Sequence, residues 1–305
     1  MMDQALIARI LEALDKIILG KKNVTRLALA CMIARGHLLV EDVPGVGKTT
    51  LAHALGRLCG LNFQRIQFTS DLLPADIVGV SIFDRESSAF RFHPGPVFSQ
   101  LILADEINRA TPKTQSALLE AMEERQVTAE GQTLKLEEPF FVIGTQNPSH
   151  QIGTFPLPES QLDRFLIRIS MGYPSAEAEK VLLLGEERRH LLANIEPVAS
   201  PADLLDLQAA AWSVQVSESL VSYVQALLSA SRNRAEFSVG LSPRAGLGLL
   251  AAARAWALIS ERDFVVPEDV QAVFPHVAVH RLRAGTHTQE AIESAVLALL
   301  REVAV

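Results

Sequence analysis

Runs of apolar residues divide the first half of the chain into short strands, with stretches of helical periodicity between them. We predict strands at His37–Val40, Phe63–Phe68, Leu101–Ala104, Phe140–Thr145 and Leu166–Ser170. Three of these runs are apolar with almost no alternation, which is typical of strands buried on both faces of a parallel sheet. Strands that alternate with helices in this way predict an α/β core.

Two segments with a different pattern predict β-hairpins. In the first, Ile82-Phe83 and Ala89–Phe92 flank a polar turn. In the second, Gln126–Thr128 and Thr133–Leu136 lie on either side of Gly131. The simplest expectation is that both hairpins pack their apolar side chains against the edge of the sheet.

The pattern changes after Tyr173, because the rest of the chain has no convincing strand and its apolar positions recur at helical spacing. Ser217 is placed to cap one such helix, and Ser242-Pro243 has the sequence expected where another helix begins. We therefore predict an α/β core over residues 1–175 and an all-helical domain over residues 176–305. The stripe that follows Ser217 comprises Leu220, Val221, Val224, Leu227 and Leu228.

Composition narrows the class of protein. The chain is 49% hydrophobic and 21% charged, as in a globular protein with a sizeable core. Its 28 basic and 35 acidic residues give a net charge of −7, so we expect neither non-specific nucleic-acid binding nor adsorption to anionic membranes. Two cysteines cannot form a disulfide framework. Charges at helical spacing near the N-terminus and the lack of a long apolar run argue against a signal peptide and membrane insertion. We expect a cytoplasmic protein.

The segment Val40–Thr50 is the strongest candidate for a ligand-binding site. It contains a glycine-containing turn between an apolar strand and an amphipathic helix that we predict from Lys48 to about Leu58. The backbone N–H groups of such a turn and the helix N-terminus form a positive concavity for phosphate. Lys48 would reach the β- and γ-phosphates, and Thr49 would place its hydroxyl on Mg²⁺. The usual pattern begins with glycine, whereas this chain has Asp42 there.

Two more strands end in polar residues that fit the same chemistry. Asp105 and Glu106 follow one strand, and Asn147 closely follows another. Ligands of open α/β sheets bind at the carboxyl ends of the strands. Asp105 would hold the Mg²⁺ shell and Glu106 would polarise the attacking water. The Asn147 amide could bond both the γ-phosphate and that water.

Two arginines are unusual in their positions. Arg164 stands just before the last predicted strand, and Arg244 falls in the first turn of a predicted helix. The helix macrodipole disfavours a cation at that end, so an anionic ligand would explain Arg244 better. An ordinary surface position remains the alternative for each.

Together these segments resemble the MoxR family of AAA+ ATPases. The resemblance rests on Glu41–Thr50, Asp105–Ala110, Gly144–Pro148 and Leu157–Phe165, and it extends from Ile18-Leu19-Gly20 to the helical end of the chain. It implies a P-loop AAA+ core with a five-stranded parallel sheet and two β-hairpin insertions, followed by an all-α lid. It also implies hydrolysis of ATP with Mg²⁺, and the family shares the departure at Asp42.

The resemblance assigns a role to each candidate residue. Thr49 and Asp105 would bind the metal ion. Glu106 would be the Walker B base, Asn147 sensor 1, Arg164 an arginine finger acting on a neighbouring subunit, and Arg244 sensor 2. It leaves open whether Arg244 acts in its own subunit and whether Arg109 reaches a neighbour. The residues implied to contact nucleotide are Gly20, Pro44, Gly45, Val46, Gly47, Lys48, Thr49 and Thr50.

The family resemblance also implies a ring of identical subunits, commonly a hexamer, that acts as a chaperone-like remodeller or maturation factor. A protein with a von Willebrand factor A domain and a protein client would be its partners. Both hairpin tips would then face the central pore.

Two other functions remain open. A nucleic-acid motor or a metal-chelatase-like motor subunit would share both hairpins, but the segments Thr69–Gly95 and Arg125–Glu138 carry net charges of −2 and −1. A hairpin that grips phosphates should be basic. A non-hydrolysing, ATP-gated scaffold would have no need of Glu106.

Overall fold

The computed structural model describes residues 2–86, 88–129, 131–147, 153–184, 195–282 and 289–304. Its strands are β1 (Leu38–Glu41), β2 (Phe63–Gln67), β3 (Gly79–Asp84), β4 (Ala89–Pro94), β5 (Leu101–Asp105), β6 (Gln126–Ala129), β7 (Gln132–Lys135), β8 (Phe141–Gln146) and β9 (Ile167–Ile169). Its helices are α1 (Met2–Ile17), α2 (Lys22–Ile33), α3 (Lys48–Leu58), α4 (Pro74–Val78), α5 (Pro112–Glu124), α6 (Glu159–Leu162), α7 (Ala176–Leu184), α8 (Pro201–Ser213), α9 (Glu218–Asn233), α10 (Pro243–Ile259), α11 (Pro267–Ala278) and α12 (Gln289–Glu302).

A five-stranded parallel sheet forms the centre of the core, which confirms the predicted fold class. Its order is β2-β5-β8-β1-β9, and every end of these strands lies within one residue of its predicted position. All of β5 and all of β8 except Gln146 are buried. Because the strands are parallel, their carboxyl ends meet at one edge of the sheet and their amino ends at the other.

Alternate residues of the central strands pack on opposite faces of the sheet. Leu38 and Val40 belong to the larger apolar cluster, which also contains residues of α1, α2, α3 and the helices that follow the core. Leu39 belongs to a second cluster with residues of α4, α5 and the hairpin β6-β7. The sheet is therefore covered on both sides, which explains the nearly uninterrupted apolar runs in its strands.

The two predicted hairpins are confirmed as the antiparallel pairs β3-β4 and β6-β7, although residues 87 and 130 lie outside the described residues. They differ in packing. Val127 of the second hairpin is buried in the cluster on one face of the sheet. In the first, Phe83 and Phe90 contact each other with ring centroids 5.4 Å apart but are 50% and 73% exposed. The expectation that this aromatic pair packs on the sheet is therefore wrong.

The chain beyond Ala176 is helical in its described ranges, as expected of a lid, and the domain boundary at residue 175 stays a prediction. Residues 185–194 and 283–288 of the predicted lid lie outside the described residues. Ser217 caps α9 as predicted, and α10 begins at Pro243 as predicted, with Ser242 as its cap. Both serine hydroxyls accept a backbone N–H. The predicted stripe on α9 is wrong at Val221, whose side chain is 44% exposed. None of the described helices is long and apolar enough to cross a membrane.

Arg281, just after α11, connects the helices that follow residue 176 to the α/β core. Its guanidinium is 6% exposed and binds Asp163, with Nε 2.6 Å from Oδ1. It also donates to the backbone carbonyls of Phe165 and Leu166, immediately before β9. Nearby, His276 and His280 contact the carbonyl oxygens of Arg168 and Phe165. The contact between these helices and the start of β9 is therefore centred on the buried Arg281 guanidinium and the oxygen atoms that accept its hydrogen bonds.

We expect Arg281→Ala to lower the free energy of unfolding by about 3 kcal/mol, because it removes the buried cation that pairs with Asp163 and donates to several backbone carbonyls. Lys16→Ala is the control, since its partner Glu12 is exposed on the same helix. Urea unfolding should show a clear drop in midpoint for the first variant and nearly none for the second. Equal midpoints would contradict the role given to Arg281.

Candidate active site

The glycine loop, residues 42–47, connects β1 to α3 at the carboxyl edge of the sheet. Gly45 and Gly47 have φ angles of +88° and +100°, a region that favours glycine. Gly47 is the N-cap of α3, and among the described residues no side chain caps this helix. The first N–H groups of α3 are therefore directed toward the space beyond the loop, where an anion can accept them.

A pocket of about 300 Å³ opens at this edge and gathers residues from three segments of the sequence. It combines the N–H groups of the loop with an ammonium, two carboxylates and an amide. Val46 lines a neighbouring pocket instead. The lining residues are Pro44, Gly45, Gly47, Lys48, Thr49, Thr50, Asp105, Glu106 and Asn147.

Lys48 is 8% exposed and is held at the centre of this pocket. Its Nζ donates to the backbone oxygen of Asp42 at 2.7 Å and to Oδ1 of Asn147 at 3.1 Å. Burial lowers the pKa of Lys48, while the nearby carboxylates of Asp105, Asp42 and Glu106 oppose that shift. The ammonium is thus aimed into the pocket by two oxygen atoms of its own chain.

Glu106 is also held in place, at the end of β5. Its backbone has a φ angle of +56°, and its N–H donates to Oγ1 of Thr145 at 2.9 Å. Its carboxylate accepts a hydrogen bond from Nδ2 of Asn147 at 3.1 Å and pairs with Nε of Arg109, also at 3.1 Å. Lys48, Asn147 and Glu106 therefore form one hydrogen-bonded chain across the pocket, and Arg109 contacts Glu106 of its own chain.

Three residues that the sequence analysis missed also shape the site. Oδ1 of Asp105 accepts the Thr145 hydroxyl at 2.6 Å, and Oδ2 accepts Arg65 at 2.6 Å. Gln67 donates to Glu106 at 3.3 Å. Arg65 and Gln67 lie on β2, which is paired with β5 so that Gln67 is opposite Asp105. Their polar character within a strand was the available signal, but only the strand order gives it meaning.

A second pocket, of about 250 Å³, lies on the other side of the glycine loop. Its walls are mainly apolar and include Ile18, Met171 and Pro174, as well as Val46 of the loop. Gly20 has a φ angle of +70°, and its neighbours in sequence, Leu19 and Lys21, line this pocket. The segment predicted to lie on the adenine side is therefore next to the glycine loop.

Arg164 and Arg244 lie elsewhere, in a third pocket of about 300 Å³. Gly36 and His37, which precede β1, and Leu166, which precedes β9, also line it. This places it at the amino edge of the sheet, opposite the glycine loop. Arg164 donates to the carbonyl of Leu119 and Arg244 pairs with Glu123. Five arginines and two carboxylates line this third pocket: Arg35, Arg125, Arg164, Arg244 and Arg281 with Glu123 and Asp163.

Comparisons with known proteins agree on one family. The model of the ATPase family associated with various cellular activities (AAA) matches residues 37–167, and the AAA lid domain model matches residues 229–299. The chain is 45% identical over 277 residues to the uncharacterised protein YeaC of Bacillus subtilis, covering 91% of this chain and 87% of YeaC. It is 42% identical over 276 residues to chaperone MoxR1 of Mycobacterium tuberculosis, covering 88% and 73% of the two chains.

A solved structure supports the same relationship. The crystal structure of a proposed ATPase from Cytophaga hutchinsonii superposes on this chain with a TM-score of 0.89 and 35% sequence identity. The superposition covers 99% of this chain and 96% of that one. The similarity therefore includes both the α/β core and the helices that follow it.

We expect Lys48→Ala to weaken the binding of a nucleoside triphosphate about 100-fold or more, because a phosphate loses its charge-assisted hydrogen bonds to the ammonium. Isothermal titration calorimetry measures this directly. Lys113→Ala, an equal change of charge at an exposed position on α5, is the control and should bind as the parent protein does. Unchanged affinity in the Lys48 variant would exclude the glycine loop as the phosphate site.

Proposed function

Because the chain belongs to the MoxR family of AAA ATPases, we propose that it hydrolyses Mg-ATP within a ring of identical subunits and thereby remodels or matures protein complexes. One observation carries the proposal: the pocket at the carboxyl edge brings together Lys48, Asp105, Glu106 and Asn147 beside an uncapped helix N-terminus. These groups are the ones that phosphoryl transfer to water requires.

ATP fits the two neighbouring pockets in one orientation. The phosphates take the polar pocket, where the N–H groups of the glycine loop and the Lys48 ammonium offset their charge. The flat, apolar adenine takes the second pocket, against Ile18, Met171 and Pro174. Gly45, Gly47 and Thr50 line both pockets, so the ribose and α-phosphate lie over the loop.

The residues present fit Mg²⁺. Thr49 and Asp105 supply a hydroxyl and a carboxylate oxygen in the same pocket, and Mg²⁺ prefers oxygen ligands. Within the described residues no cluster of three or more histidine, cysteine or acidic side chains could hold a metal ion. That suits an ion that keeps water and phosphate oxygens among its ligands. When bound, Mg²⁺ would neutralise charge that develops on the phosphates.

Hydrolysis requires a water in line with the γ-phosphorus and an acceptor for its proton. The Glu106 carboxylate is the acceptor. The hydrogen bond from Asn147 and the ion pair with Arg109 fix where it points, while the backbone N–H of Glu106 donates to the Thr145 hydroxyl. The water oxygen forms a bond to phosphorus, the bond to the β–γ bridging oxygen breaks, and ADP and phosphate result. Asn147 lies between Lys48 and Glu106, so its amide can orient both the γ-phosphate and the water.

The positions of Arg164 and Arg244 favour a ring. The four residues of β1, which separate the third pocket from the glycine loop, rise about 13 Å. Arg164 and Arg244 are bound to Leu119 and Glu123 at the far end of that strand, away from the ATP pocket of their own chain. The excess of arginine in the third pocket suits an anion from outside. We propose that both arginines act on ATP bound by a neighbouring subunit, which would place Arg244 in trans.

The client and the partner remain proposals as well. Chaperone MoxR1 is among the relatives, which favours a protein client over nucleic acid. The exposed pair Phe83 and Phe90 at the first hairpin offers an apolar contact for such a client, toward a central pore. A protein with a von Willebrand factor A domain is the partner that the family suggests.

We expect Glu106→Gln to retain ATP and fail to hydrolyse it, because the amide keeps the shape of the side chain but cannot accept the proton. Turnover should fall about 100-fold or more, while the Kd for ATP changes little. Phosphate release and calorimetry measure the two quantities. Substantial turnover in this variant would mean that another group is the base. The same variant, loaded with ATP, is suited to capturing the partner.

We expect Arg164→Ala to leave ATP affinity near normal while hydrolysis falls about 1,000-fold, the scale on which arginine fingers act. Mixed with Lys48→Ala protein under conditions that permit subunit exchange, it should recover part of the activity. In such a ring an intact Arg164 faces an intact Lys48 and Glu106. Proven exchange without recovery would show that Arg164 acts within its own subunit or only structurally.

We expect ATP hydrolysis to be insensitive to single- or double-stranded DNA at physiological salt, because both hairpin segments are acidic and repel phosphate. Turnover measured with and without DNA tests the alternative motor function. A several-fold stimulation would favour a nucleic-acid motor over a protein remodeller.

A further inference from the structure

The carboxylate of Asp42, the residue that replaces the usual first glycine of the loop, is saturated with hydrogen bonds. Oδ1 accepts the N–H of Val43 at 2.8 Å. Oδ2 accepts the N–H groups of Met171 and Gly172, both at 2.6 Å, and the Ser170 hydroxyl at 3.0 Å. The residue is 8% exposed. One buried side chain thus joins the start of the glycine loop to the segment that follows β9.

That segment, residues 170–172, contributes to the base side of the proposed ATP site. Met171 and Gly172 line the apolar pocket alone, whereas Gly45 and Gly47 of the glycine loop line both pockets. The backbone oxygen of Asp42 also accepts the hydrogen bond of Lys48. The side chain of Asp42 therefore joins the glycine loop to the segment that completes the apolar pocket, although Asp42 itself lines neither pocket.

The neighbouring residue strengthens the same connection. Glu41 pairs with Arg168 of β9 at 2.5 Å, and Arg168 in turn pairs with Glu293 of α12 at 3.0 Å. Two consecutive acidic residues at the end of β1 thus hold β9 and its exit, one through a guanidinium and one through backbone N–H groups.

The negative charge of Asp42 is unfavourable at this position, next to the proposed phosphate pocket. A negative charge beside the site for a triphosphate repels the ligand, so its presence needs another benefit. Burial by itself would raise the pKa of Asp42, but the hydrogen bonds from Gly172, Ser170, Val43 and Met171 outweigh it and lower the pKa. The group is therefore charged at neutral pH, and its bonds to N–H groups are of the strong, charge-assisted kind.

We propose that Asp42 is a positioning residue that fixes the glycine loop relative to residues 170–172, so that the phosphate and base pockets act as one nucleotide site. The inference rests on the proposed function for the identity of the ligand. It goes beyond that function because it assigns coupling between the two pockets to a residue that touches neither phosphate nor base.

The test compares ATP with inorganic tripolyphosphate, which has the phosphates but lacks the base and ribose. Calorimetry with Mg²⁺ gives the Kd of both ligands for the parent protein, Asp42→Ala and Asp42→Asn. Asp203→Asn is the matched control, because Asp203 also accepts the backbone N–H and hydroxyl of a serine, but at the distant start of α8. Hydrogen exchange at Met171 and Gly172 reports whether the connection is lost in a folded chain.

In Asp42→Ala we expect the preference for ATP over tripolyphosphate to fall about tenfold, since charged hydrogen bonds of this kind contribute on that scale. Tripolyphosphate itself should bind equally well or more tightly, because a repelling charge is gone. Asp42→Asn keeps a carbonyl acceptor and should lie between the alanine variant and the parent. Hydrogen exchange at Met171 and Gly172 should be fastest in Asp42→Ala, slower in Asp42→Asn and slowest in the parent protein. Asp203→Asn should match the parent in both exchange and ligand preference.

Three results would overturn the inference. Equal loss for both ligands would mean that Asp42 only supports the loop. Equal gain for both, identical in the alanine and asparagine variants, would mean that only its charge matters. Unchanged hydrogen exchange at Met171 and Gly172 would mean that the Asp42 carboxylate does not hold residues 170–172 in place. If the alanine variant fails to fold, Ser170→Ala removes one donor and should give a smaller fall in the same ratio; an unchanged ratio there would overturn the inference too.

Failure of the proposed function is a separate outcome. If the parent protein binds neither ligand, or if Lys48→Ala binds ATP as tightly as the parent, the nucleotide site itself is wrong. A parent that binds ATP through Lys48 but shows no effect of Asp42 would refute the positioning role alone.

Discussion

The parallel direction of the central strands decides which side chains of this protein meet. All five run the same way, so the residues that follow β1, β5 and β8 meet at one edge. Residues separated by about a hundred positions in sequence, such as Lys48 and Asn147, are thereby placed within one hydrogen bond. The same rule sends residues that precede strands, such as Arg164, to the opposite edge. The parallel direction of the strands therefore places the proposed phosphate-binding groups and Arg164 at opposite edges of the sheet.

The side chains at the polar edge hold one another through hydrogen bonds. Lys48, Asn147 and Glu106 are linked by hydrogen bonds, and Asp105 is shared between Thr145 and Arg65. A phosphate that takes the Lys48 ammonium competes directly with Asn147 for it. Because Asn147 also donates to Glu106, binding of the phosphate and orientation of the base are connected through one amide. Each charged group of the pocket therefore has a polar partner: Lys48 donates to two oxygen atoms, and Asp105 and Glu106 pair with arginines.

Much of this was readable from sequence, and the exceptions have clear physical reasons. Uninterrupted apolar runs marked the central strands to within one residue, and the glycine loop was recognisable because it stands between a strand and a helix. Strand order, however, depends on packing between distant segments, so nothing local revealed that Gln67 would face Asp105. Hydrophobicity likewise could not show that Phe83 and Phe90 pair with each other in solvent, nor that Arg244 lies beside Arg164.

The proposed ring would make one active site from the two opposite edges of the sheet in neighbouring subunits. A cryo-EM reconstruction of the Glu106→Gln protein with Mg-ATP tests it most directly. We expect a closed ring in which the γ-phosphate held by Lys48 of one subunit lies within hydrogen-bond distance of the Arg164 and Arg244 guanidinium groups of its neighbour. A ring or monomer in which ATP is bound by Lys48 while both arginines remain on Leu119 and Glu123 of their own chain would contradict it.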